Sequence, residues 1–160
     1  MKSILTNTIL ILLVRVFLGG LFIVASLDKI ADPAAFAASI LNYKIVGPTL
    51  AMVIATILPS LELLCGLSLI LGLYPRTSAL FITFMLVGFT ILIISALLRG
   101  LDISCGCFTQ DPNVGKIGYI KILENVGMIM LGVLLLFVQN YGITLTQFFP
   151  QQKNAPSDKI

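Results

Sequence analysis

Thr77-Ser-Ala-Leu-Phe-Ile-Thr-Phe-Met-Leu-Val-Gly-Phe-Thr-Ile-Leu-Ile-Ile-Ser-Ala-Leu-Leu98 contains no charged residue. About 20 apolar residues in a helix cross the hydrocarbon core of a bilayer, so this run alone is long enough to span one. Its polar positions past the first turn, Thr83, Thr90 and Ser95, are hydroxyls, which usually bond back to their own helix. The whole chain agrees with that reading. Of 160 residues, 58% are hydrophobic and 11% charged, and the mean hydropathy is +1.07. A soluble domain carries about a quarter charged residues. The chain therefore reads as an all-α integral membrane protein. Its net charge of +3 is spread thinly, which argues against nucleic acid as a partner.

Working outward, three further apolar runs appear at residues 4–27, 49–73 and 117–139. The first is longer than a signal-peptide core and is interrupted by Arg15, so it is read as a retained helix. Tyr74-Pro75-Arg76-Thr77 is a turn short enough to make the second and third spans antiparallel neighbours. Between the first two spans, Asp32-Pro33 is a helix start, a capping side chain followed by a first-turn proline. It predicts a short surface helix over 33–42, lying as a lid on the bundle. The expected architecture is an up-down four-helix transmembrane domain over residues 1–145, followed by a polar tail over 146–160. Pro59 should disturb the second span about one turn before Glu62.

The longest polar break holds Arg99-Gly-Leu-Asp-Ile-Ser-Cys105-Gly-Cys107-Phe108. Cys105 and Cys107 are the candidate catalytic residues. A disulfide between them would close a very small ring, and the intervening glycine best tolerates the strained backbone. Strain makes such a bond labile, which suits thiol–disulfide exchange or electron transfer. Arg99 and Lys116 are the nearby cations able to favour a thiolate. A second reading is a non-catalytic assembly subunit whose loop docks a partner. A third is copper handling, since thiolates suit Cu(I). Zinc would need four ligands, and the loop offers two thiolates with Asp102 or Asp111, so no metal site is assigned.

Arg15 and Glu62 each fall near the middle of a span. A lone charge in hydrocarbon costs about 2.5–3.5 kcal/mol on insertion scales, so the two are expected to pair inside the bundle. Such a pair would serve either as a clamp between helices or as a polar site for a quinone head group. Asp28, Lys29, Tyr43, Lys121 and Glu124, with Arg99 and Asp102, are expected to form a supporting rim on the cysteine side, as surface salt bridges. Cys65, three residues after Glu62, shares its helix face and is assigned no role.

Side is not decided by charge. Lys29, Lys44, Arg99, Lys116 and Lys121 flank the cysteine face, and Lys2, Arg76, Lys153 and Lys159 the other, five against four. Disulfide chemistry persists outside the cytosol, so the loop is expected to be extracytoplasmic.

Several of these residues recur together in a known family. Arg15, Gly19-Gly20, Ser26-Leu-Asp-Lys29-Ile, Asp32-Pro33, Phe36, Tyr43, Pro59-Ser-Leu-Glu62-Leu-Leu-Cys-Gly66, the Arg99–Phe108 loop and Glu124-Asn125 resemble the DoxX-like membrane proteins, most closely the MauE (methylamine utilisation) branch. The likeness covers roughly residues 10–140. It implies a multi-pass protein of the bacterial inner membrane that helps mature a disulfide-rich dehydrogenase subunit. It also implies a thioredoxin-like protein or an extracytoplasmic client as partner, and links to thiol and quinone redox complexes. Thr109 follows Phe108 where many relatives have glycine, a departure in the turn beyond the cysteine pair.

Overall fold

The structure, a computed structural model, describes residues 8–101 and 119–138. Over these the chain is entirely helical: α1 (Thr8–Ala31), α2 (Pro33–Asn42), α3 (Pro48–Leu71), α4 (Pro75–Leu98) and α5 (Tyr119–Phe137). All but α2 are long and apolar enough to cross a membrane. Cys105, Cys107, Asp102, Lys116 and the tail over 146–160 lie outside the described residues.

Local signals explain the helix ends. Asp32 caps α2 by accepting a 2.9 Å hydrogen bond from the Ala35 amide, with Pro33 in the first turn. Prolines also open α3 and α4, where their missing N–H costs nothing. The expected Tyr74–Thr77 turn is displaced for that reason. Pro75 already belongs to α4, and the reversal is made by Gly72, left-handed at φ 73°, with Leu73 and Tyr74. The Gly72 and Leu73 amides both reach the Ser68 carbonyl. α1 runs four residues past the expected limit at Leu27, which puts Lys29 inside a helix.

Two close approaches set the packing. α1 and α3 cross antiparallel at Gly19 and Gly66. A Cβ on Gly19 would stand 2.8 Å from the Gly66 carbonyl oxygen, and one on Gly66 would stand 2.9 Å from that of Gly19. Small residues let membrane helices approach this closely, where dispersion rather than water exclusion holds them. α4 and α5 meet where Gly132 faces Thr83, so that a Cβ on Gly132 would overlap the threonine hydroxyl. Thr83 and Thr90 bond back to Ala79 and Leu86 at 2.7 Å, as expected of intramembrane hydroxyls. A core of Ile11, Leu18, Phe22, Leu69, Ile82, Leu86 and Leu135 joins the four long helices. α2 lies against the first half of α3, burying Phe36 and Ala37 on Ala55.

Candidate functional site

The Gly19–Gly66 crossing dictates which buried charges meet. In an antiparallel pair, residues before the crossing on one helix face residues after it on the other. Glu62 precedes Gly66, so it faces the stretch of α1 beyond Gly19, where Lys29 lies. Lys29 Nζ stands 2.8 Å from both Glu62 carboxylate oxygens, and each side chain is 2% exposed. Arg15 precedes Gly19 and faces the last turn of α3. Its Nε donates to the Leu69 carbonyl at 3.0 Å and its guanidinium to that of Ile70 at 3.2 Å. The expected Arg15–Glu62 pair is therefore not formed. Lys29, expected in a surface rim, takes the place of Arg15.

The ammonium of Lys29 is further enclosed by two aromatic rings. Its Nζ lies 5.0 Å from the centroid of Phe36 on α2 and 5.3 Å from that of Phe89 on α4. Both distances suit a cation–π contact. One lysine thus gathers α1, α2, α3 and α4 around a single charge. With both carboxylate oxygens on Nζ and a ring on two sides, the ammonium is committed to protein groups, as Arg15 is to carbonyls. The polar site for a quinone head group expected of Arg15 and Glu62 is not assembled by these contacts.

Above this centre, at the same end of the bundle, Arg99 closes α4. Its guanidinium donates to the Tyr43 carbonyl at 2.8 Å and approaches that of Lys44 at 3.5 Å. These are carbonyls at the C-terminal end of α2, where a helix leaves acceptors without intrahelical donors. Arg99 thereby ties the end of α2 to the residue from which the cysteine segment departs. Tyr43 is buried, and burial pushes its phenol up to about 12, so its hydroxyl stays protonated at any physiological pH. Lys44, next in the chain, is exposed and takes a left-handed backbone at φ 53°. Phe36, Tyr43, Ile54, Leu58, Phe84 and Phe89 are among the walls of an apolar cavity of about 350 Å³ between α2, α3 and α4.

Of the remaining rim residues, Asp28 adjoins Lys29 and its charge acts on the ammonium, whereas Lys121 and Glu124 stand apart from this centre. Lys121 and Glu124 pair with each other at 2.8 Å one turn apart on α5, half open to the surroundings. Asp28 is exposed on α1, and Asn125 is buried on the inward face of α5. Cys65 is half-buried against the main core. Phe36 and Phe89 are the charge partners that the sequence does not mark as such. The legible signal was their place, Phe36 four residues past Asp32 and Phe89 midway along an uncharged span.

Comparison with known proteins agrees with this architecture. The model of the family described as methylamine utilisation protein MauE matches residues 7–138. The chain belongs to the MauE family. No curated protein and no solved structure matches it. The matched region takes in all five helices and both arginine clamps as well as the Lys29–Glu62 centre, so a family member's core is what the helices build.

Proposed function

We propose that this MauE-family protein is an accessory membrane protein of methylamine utilisation, acting through thiol–disulfide exchange at Cys105 and Cys107. In the oxidised form the pair would accept two electrons from two thiols of an extracytoplasmic client, a subunit of the amine dehydrogenase. The client gains its disulfide and the pair becomes a dithiol. A thioredoxin-like partner in its disulfide form would then reoxidise the pair and leave as a dithiol, so each transfer moves two electrons and two protons. The cysteine face of the bacterial inner membrane protein is extracytoplasmic in this reading.

The observation that supports it is the construction of one end of the bundle. Lys29, Glu62, Phe36 and Phe89 lock four helices there, and Arg99 fastens α2 at the last turn before the cysteine segment. A thiol pair that must meet a protein partner needs a rigid platform, because each mobile element ordered on docking costs affinity. Single replacements Cys105→Ser and Cys107→Ser test the reading. One of them is expected to trap a mixed disulfide with the client or the thioredoxin-like partner, seen as a reductant-sensitive adduct. Full dehydrogenase maturation by the double serine variant would instead leave only a docking role. An impermeant maleimide should label the pair in intact cells; labelling only after lysis would reverse the orientation.

A further inference from the structure

The cavity beside α2 has an apolar lining and two cations near its mouth. Its walls come from α2, α3, α4 and the Tyr43–Val46 segment. The lining residues Phe84 and Ile45 are 75% and 51% exposed, so the space opens sideways, towards the hydrocarbon of a bilayer. Along α4 the lining runs from Leu92 to Phe84, seven to fifteen residues before Arg99. At 1.5 Å per residue this is about 10 to 22 Å along the helix from the Arg99 backbone. One leaflet of hydrocarbon is about 15 Å deep, so the cavity lies where an acyl chain lies.

Two cations stand at its mouth. Lys44 adjoins the lining residues Tyr43 and Ile45, and Arg99 sits on the carbonyls of Tyr43 and Lys44. Among the described residues neither Lys44 nor Arg99 forms a salt bridge. Among the described residues Arg99 donates to neutral carbonyls, so neither cation has a carboxylate partner there. We propose that this cleft is a binding site for an anionic phospholipid, with one acyl chain in the cavity and the phosphate between Lys44 and Arg99. The lipid would complete the fastening of α2 to α4. Binding there is independent of the thiol chemistry proposed for Cys105 and Cys107, and it is measured without any redox readout.

The test uses the purified full-length protein in detergent. Phosphatidylglycerol and phosphatidylcholine with identical chains are titrated, and bound lipid is counted by native mass spectrometry. Phosphatidylglycerol is expected to bind more tightly. Each cation near an anionic lipid surface contributes about fivefold, so Lys44→Asn and Arg99→Gln should each cut the preference by about that factor. Asparagine tolerates the left-handed backbone at position 44, so that variant removes charge without strain. Gly88→Phe fills the tail site: a Cβ at Gly88 meets no atom within 4 Å, so the added ring has room to enter the cavity. It should weaken both lipids alike and leave the thermal unfolding temperature in place. Equal affinity for the two lipids, or unchanged binding in Gly88→Phe, overturns the proposal. So does full competition by glycerol phosphate, which would make the mouth a simple anion site.

Discussion

Two buried cations sit on α1, fourteen residues or about 21 Å apart, and the protein neutralises them by different means. Arg15 is held by the Leu69 and Ile70 carbonyls in the last turn of α3. Those carbonyls lack intrahelical donors and carry the negative end of the helix dipole. A planar guanidinium reaches two of them at once. Lys29 meets a full opposite charge and two aromatic faces. The difference is one of what each end must hold. The Arg15 hydrogen bonds tie α1 to α3 through backbone acceptors. At the Lys29 end the short α2 must also be secured, and a compact ammonium approached from several sides gathers side chains from α2 and α4 as well.

The comparison breaks most readily at Glu62. Glu62→Leu removes the carboxylate that Lys29 contacts, and removing one member of a buried pair costs about 3–5 kcal/mol. Unfolding in detergent should show a loss of that size, and Lys29→Met in the same chain should restore most of it. If the double variant is no more stable than Glu62→Leu, the lysine is not the cause. Next in size, Arg15→Met removes two charge-assisted hydrogen bonds, for an expected loss of about 1.5–3 kcal/mol. Arg15→Lys keeps the charge but not the fork and should recover only part of it, whereas full recovery would mean that charge alone matters there. Phe89→Leu sharpens the contrast at the other end, costing about 0.5–2 kcal/mol through the cation–π contact. In a Lys29→Met background the same change should cost less, and that double-mutant cycle isolates the contact.

The smallest effect is on the pH profile, through Tyr43. Its phenol titrates near 12 when folded against an ordinary value of 10.0. Between these values the unfolded chain has lost a proton that the folded chain keeps. Stability should therefore be unaffected below pH 10, fall as pH rises from 10 towards 12, and level off beyond. Tyr43→Phe should flatten that segment of the profile. An unchanged slope would place the phenol in contact with solvent.

Much of the architecture is readable in the sequence. Uncharged runs long enough to span, Asp32-Pro33 and the prolines that open helices each act through their immediate neighbours in the chain, so their consequences are local. The misreadings share a cause too. The apolar run ends at Leu27 because Asp28 and Lys29 are charged, but charge alone does not stop a helix. In fact α1 continues to Ala31, because a buried carboxylate and two rings receive the lysine. Arg15 and Glu62 are both mid-span, but pairing also needs register, which hydropathy does not carry.

The sequence by itself determined that this protein is a four-span helical bundle with intramembrane charges requiring partners, because length, hydropathy and helix signals are properties of short stretches. Only the tertiary structure decided which partners they took. Gly19 and Gly66 set the height at which α1 crosses α3, and a crossing height is a relation between two distant segments. From it follow the Lys29–Glu62 pair and the carbonyl clamp on Arg15. The packing of α2 and α4 against that crossing then decided that Phe36 and Phe89 close over the charge.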